Sequence, residues 1–474
     1  MNNSPRRWYD LAILAVAQFM IVLDVSIVNV ALPSLQRDLN LSIANLQGIV
    51  TAYTLAFGGF LLLGGRAADL FGRKKIFLIG LAGFTVVSLT IGIADSGSLM
   101  VPLRALQGLF AAFMSPAALS LVLSLFQDSR ERSTALSVWA AVSAGGATAG
   151  LLIGGALTQY LNWRWNFFVN VPVGLIIFFT AYAMLPNSKP EDSAKSLDLP
   201  GAALATSGLM LLVYTLSHGN TWGWLSIHTL DFLYLSALLL IGFIINEAYA
   251  KQPLMPLSIF KIGNVGAANA MQLPITAGLF AMFFFLSLYI QSTLHYSPLL
   301  TGLAFLPFSI IVGITATLTP KLLRKISYKW VLSIAPLFLV VALFIFSQTT
   351  VTSSYWAILP GLIIMPIGMG MTFVSITIAA TTGVPRNESG IASGLLNTSQ
   401  QIGGSIGLAI LSGIAATATA AASLTSSQAE AAVAGYHAAF HTGIFFAFGA
   451  SLIAFLFIKV IPVQASDTPA IAAH

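Results

Sequence analysis

The chain has 474 residues, 57% of them hydrophobic and only 8% charged, with a mean hydropathy of +0.88. Globular domains average about 25% charged residues, so this composition excludes a soluble fold and points to a polytopic membrane protein. The net charge of +6 would suggest a nucleic-acid partner in a soluble chain; here only the placement of Lys and Arg along the sequence carries meaning. There is no cysteine, which excludes disulfides and thiolate metal sites.

Apolar windows long enough to cross a bilayer recur along the whole sequence. They fall at 10–33, 47–66, 76–94, 98–126, 133–158, 165–185, 199–218, 230–249, 265–290, 298–320, 328–347, 355–381, 389–415 and 439–462. That gives fourteen spanning helices. The first run follows Arg6 and Arg7, as a signal peptide would, but it is about 22 residues long, contains Asp24 and lacks an A-x-A-like cleavage site, so it reads as a retained span. With the N-terminus inside, the outer segments hold only Arg37 and Arg164, and Arg104 lies within a span. All the other Lys and Arg fall on the inner side, the bias that sets topology. A missed or extra helix would scramble it.

The loops repeat. The basic turn after the second span (Arg66–Lys75) has a counterpart after the tenth (Lys321–Lys329), and the turns before the Gly-rich fifth and thirteenth spans also correspond. Both pairs are offset by eight helices, as two six-helix bundles separated by an inserted pair require. The expected division is 1–186, 187–262 (linker and two inserted helices) and 263–474. Parallel repeats with a site between them are a transporter architecture.

Asp24 stands inside the first span with no charged neighbour before Arg37. A lone carboxylate there costs at least ~2.5 kcal/mol by insertion scales, and such groups usually face a cavity or a partner and mark transport pathways. A permanently paired structural Asp is the alternative. Arg104, in LRALQG, is the one cation inside a span. At ~1.5 Å per residue Asp24 lies about 13 Å and Arg104 about 9 Å from the outer boundary, close enough to meet directly or through water. Such a pair is either a static buried contact or a proton switch that changes between states.

Gly65–Lys75 (GRAADLFGRKK) joins the second and third spans. Gly65 and Gly72 permit a tight turn and close approach, and Arg73 belongs to its basic cluster. Asp69, a lone acid among cations, is placed to cap the positive N-terminus of an opposing helix near Asn387–Gly390. The spacing of this turn resembles the signature loop of the major facilitator superfamily. In the fifth span GGATAGLLIGG supplies Gly146, Gly150, Gly154 and Gly155, a density that allows backbone-to-backbone packing and bending. Facilitator antiporters show a similar GxxxGPxxGG pattern, from which this chain departs at Leu151 in place of the proline.

A narrower resemblance, over nearly the whole chain, is to the 14-helix drug:proton antiporters of that superfamily. It rests on LDVSIVNVALP (Leu23–Pro33), NWRWNFFVNVPVG (Asn162–Gly174), YSPLLTGLAFLP (Tyr296–Pro307) and GIASGLLNTSQQIGGSIG (Gly390–Gly407). It implies an all-α major facilitator fold of 6 + 2 + 6 helices. Asp24 and Arg104 would couple protons, Gly65, Asp69, Gly72 and Arg73 would form the inner gate, and the fifth-span glycines would be a hinge. Gln18, Asn29, Tyr53, Asn269 and Gln272 are candidate substrate contacts. The run Phe283–Phe285 is read as lipid-facing or packing, since consecutive residues point to different faces.

The expected function is export of amphipathic compounds against inward proton flow, in a bacterial inner membrane, by a monomer with both termini cytoplasmic. Its partners are small substrates, protons and lipid; no cofactor is expected. A facilitator or proton symporter of a small metabolite is the alternative. An enzyme is disfavoured because His218, His228, His295, His437, His441 and His474 all read as loop or terminal residues, and no P-loop occurs. With Asp24 as the one mid-span acid of the cavity, neutral compounds and monovalent lipophilic cations are expected to be favoured over dications.

Overall fold

A computed structural model describes residues 6–126, 128–187, 197–385 and 388–461. Fourteen of its helices are long and apolar enough to span a membrane. In chain order they are α1 (Arg6–Asp38), α2 (Ile43–Phe71), α3 (Arg73–Ile93), α4 (Gly97–Leu125) and α5 (Ser129–Tyr160), followed by α6 (Trp165–Met184). The inserted pair is α7 (Leu199–Trp222) and α8 (Ile227–Tyr249). Then come α9 (Val265–Ser292), α10 (Pro298–Leu323), α11 (Tyr328–Phe346), α12 (Tyr355–Thr381), α13 (Ser389–Ala422) and α14 (Gln428–Phe457). No strand occurs among the described residues.

Most helices match their apolar windows to within about a turn, while α1 and α2 overrun theirs at both ends. Larger differences fall at the last two. α13 continues to Ala422 and α14 begins at Gln428, not near 439. The Ala-rich stretch 415–422 is weakly hydropathic but strongly helix-forming. Ser427 then starts α14 with a capping box: its hydroxyl accepts from the Glu430 N–H while the Glu430 carboxylate accepts from the Ser427 N–H at 2.9 Å. His437 and His441 therefore lie inside α14, and His218 and His228 inside α7 and α8, not in loops. α6 and α10 each open with a short separate turn, broken at Val169 and Phe305. Pro172 and Pro307, without N–H groups, cannot bond back to Phe168 and Leu303.

Glycines set the closest contacts. A Cβ at Gly146, Gly150 or Gly154 would press on α1, at Gly150 within 2.8 Å of the Leu23 carbonyl oxygen. One at Gly155 would lie 2.6 Å from the Pro298 carbonyl oxygen on α10. In the basic turn Gly72 has φ 94°, in the region that favours glycine. Close approach there belongs to Gly64, whose Cβ would meet the Ala112 backbone, whereas Gly65 has only Pro116 nearby at 3.7 Å. That corrects the expectation for Gly65.

The two six-helix bundles meet along two flanks. α2 and α13 run antiparallel: Thr54 and Ser405 share a hydroxyl hydrogen bond of 2.5 Å, Thr398 donates to the Gly58 carbonyl at 3.2 Å, and Leu62 lies against Gly394. α5 and α10 touch at the end away from the basic turns, where the Leu299 N–H donates to Gln159 at 3.3 Å. The Gln291 amide donates to the Val30 carbonyl at that same end. Toward the basic end a Cβ at Gly145 or Gly313 would meet nothing within 4 Å, so this flank diverges. The inserted α7 packs beside both α2 and α13: Val213 clusters with Leu55 and Ala409, and Gln47 donates to Ser217 at 2.9 Å.

Candidate functional site

Asp24 and Arg104 are in contact. The Arg104 Nη1 donates to Asp24 Oδ2 at 2.6 Å, and both side chains are buried (0% and 1% exposed residues). Asp24 Oδ1 accepts from Gln107 Nε2 at 2.9 Å and from Asn170 Nδ2 at 2.8 Å. Gln107 also donates to Ser88 at 2.8 Å, and its carbonyl oxygen accepts from Arg104. The guanidinium donates to the Ile49 carbonyl at 3.3 Å and lies 4.2 Å over the Tyr53 ring. Five helices, α1 to α4 and α6, thus close a neutral network around one carboxylate. Satisfying both charges this fully is what makes burying them tolerable. Sequence reasoning singled out neither Gln107 nor Asn170. The first stands three residues after Arg104, on the same helix face; the second is a polar residue within a span.

Beside this network, between the bundles, lies a cavity of about 240 Å³. Each helix contributes one face at helical spacing. α1 gives Val25, Ser26 and Asn29; α5 gives Ala147, Thr148 and Leu151; α9 gives Leu279, Phe280 and Phe283. α10 gives Phe308, Ser309, Val312 and Gly313, and α2 gives Val50. No lining residue carries a charge. Asp24 points away, although Val25 and Ser26 follow it directly. The expectation that its carboxylate balances a cationic substrate is therefore not met here. An ion stripped of water in such a place loses several kcal/mol without a counter-charge, whereas a ring face returns about 0.5–2 kcal/mol.

The expected substrate contacts divide. Asn29 lines the cavity. Gln18 accepts from Ser115 at 2.9 Å, joining α1 to α4, and Asn269 accepts from Ser399 at 2.7 Å, joining α9 to α13. Tyr53 is buried under Arg104, and Gln272 is buried with its side-chain oxygen unbonded. None of these four lines the cavity. The Phe283–Phe285 run is not lipid-facing: Phe284 and Phe285 are buried in the core, and Phe283 lines the cavity with its ring 5.1 Å from that of Phe308. Leu151, standing where the antiporter pattern has proline, lines it too.

At the basic turn Asp69 pairs with Arg73 one helical turn on, at 3.4 Å. Its expected cap on α13 falls on a stretch in which Arg386 and Asn387 lie outside the described residues. No group of three His, Asp or Glu able to hold a metal occurs among the described residues.

Residues 14–408 match the model of the Major Facilitator Superfamily, and the chain belongs to that family of membrane transporters. Among curated relatives, the puromycin resistance protein pur8 of Streptomyces alboniger is 41% identical over 88% of this chain and 83% of its own length. The cephamycin export protein CmcT of Amycolatopsis lactamdurans is 37% identical over 85% of this chain and 83% of its own. In fold the chain is similar to an auto-inhibited peptide transporter of the POT family, with a TM-score of 0.72, 15% identity, and 98% and 99% of the two chains covered.

Proposed function

We propose that this transporter is a proton-coupled antiporter that exports lipophilic or amphipathic compounds by alternating access. The observation that carries the reading is the fully bonded, buried Asp24 beside a central cavity, in a chain whose relatives are named for antibiotic resistance and export. Proton uptake at Asp24 removes its charge and the ionic part of its bond to Arg104. Residues one and two further on line the cavity, and the same helix seats in the glycine face of α5. α5 in turn carries Gly155 against α10. A change of protonation thus has a short packed route from α1 through α5 to the contact between bundles, the kind of two-state interface alternating access needs.

The lysine and arginine bias supports a topology with both termini and the basic turns on the cytoplasmic side of a bacterial inner membrane. One chain holds the complete cavity, so a monomer is sufficient, and the proton gradient supplies the energy without a cofactor. The test is uptake of Nile red, an uncharged fluorescent dye, into everted membrane vesicles. Accumulation that collapses when the pH gradient is discharged is the expected result; accumulation indifferent to the gradient overturns proton coupling.

A further inference from the structure

We infer that the central cavity selects uncharged, ring-bearing molecules and rejects lipophilic cations. The inference deepens the proposed export function by naming the substrate class, and rests on that reading only in taking this cavity as the transport site.

Three observations meet here. First, the walls contain no ionisable side chain; their polar groups are the Asn29 amide and the hydroxyls of Ser26, Thr148 and Ser309. Three of these are engaged at home: Ser26 donates to the Val22 carbonyl, Asn29 to the Val25 carbonyl, and Thr148 has a partner of its own. The Asn29 carbonyl oxygen remains to accept, and the Ser309 hydroxyl to donate or accept, which suits ether, carbonyl or hydroxyl groups. Second, the nearest acid cannot serve as a counter-ion. Both oxygens of Asp24 are committed to Arg104, Gln107 and Asn170, and the ion pair is neutral as a whole. Recruiting it for a substrate cation would leave the Arg104 charge buried and unpaired. Third, Phe280, Phe283 and Phe308 form an aromatic wall, with Phe283 and Phe308 edge to face at an interplanar angle of 75°. Such rings take a ligand ring in offset or edge contact. They also attract cations, but that attraction is smaller than the hydration an unpaired ion gives up on entering. The uncharged ring therefore wins.

Equilibrium binding to the purified, detergent-solubilised protein separates this claim from transport, because it needs neither a gradient nor a direction. The probes are tritiated naphthylmethyl methyl ether and tritiated naphthylmethyl-trimethylammonium, which share a ring and differ in charge. The ether is expected to bind about tenfold or more tightly than the ammonium. Asn29→Asp and Ser309→Asp, on walls of opposite bundles, each put a carboxylate at the cavity and are expected to raise ammonium affinity about tenfold. If one variant fails to fold, the other still reports. Equal or tighter binding of the ammonium by the unmodified protein overturns the inference, as does binding of neither probe or a folded carboxylate variant that gains no ammonium affinity. Failure of the export reading shows separately, as absence of gradient-driven dye uptake in vesicles.

Discussion

At Asp24 three donors from two other helices converge on one carboxylate: Arg104 and Gln107 from α4 and Asn170 from α6. The arrangement has different consequences for its two charges. Replacing Arg104 by Met leaves a buried carboxylate without its cation, a change that costs about 3–5 kcal/mol. It is expected to lower the thermal midpoint of the purified protein clearly. Adding Asp24→Asn to that variant removes the stranded charge and should recover much of the loss. Losses that simply add in the double variant would show that the two residues are energetically independent. Asp24 and Arg104 were legible in the sequence because ionisable groups within spans are rare. Gln107 and Asn170 stayed hidden because amides in spans are common and most only join helices, as Gln18 and Asn269 do here.

At the scale of elements, α5 shows which glycines are fixed by contact and which are not. A Cβ at Gly150 would stand 2.8 Å from both the Leu23 carbonyl oxygen and the Ser26 side chain, while one at Gly145 meets nothing within 4 Å. Gly150→Ala is therefore expected to destabilise by about 1–3 kcal/mol through overpacking. Gly145→Ala, on the same helix, should be neutral or stabilising by up to about 1 kcal/mol, from helix propensity alone. Thermal unfolding of the two variants side by side checks this; equal effects would count against the α1–α5 packing. The glycine density of α5 was legible in the sequence, but its partners were not. Spacing places Gly146, Gly150 and Gly154 on one face without saying that α1 covers it, and Gly155 one position on faces the other bundle. Helix ends were the least legible feature. Hydropathy finds the stretch inside the membrane and misses helix that projects beyond it, as the Ser427–Glu430 cap of α14 does.

For the whole molecule, fourteen spans could be counted from the sequence because composition and charge bias both constrain the number. The cavity could not be placed that way, since its walls are built of ordinary Val, Leu, Phe and Ser that any span contains. Only the convergence of five helices distinguishes them. The bundles touch between α5 and α10 at the end away from the basic turns, and under the proposed alternating access this contact parts in the other half of the cycle. The chain has no native cysteine, so a Gln159→Cys/Leu299→Cys pair offers a clean lock. Cross-linking it with a short bifunctional thiol reagent is expected to stop dye transport, and an uncross-linked control should retain it. Full transport by the cross-linked protein would mean that this contact does not open.

The central claim, that Asp24 exchanges protons for substrate, is tested most directly in liposomes holding the purified protein and a trapped pH-sensitive dye. An outward or inward gradient of Nile red is imposed with no pH difference, and proton movement in the opposite direction is recorded. Wild-type protein is expected to move protons as the substrate flows, and Asp24→Asn, which keeps the shape and loses the titratable charge, is expected to move none. Substrate-driven proton movement of equal size in the Asp24→Asn protein would contradict the account.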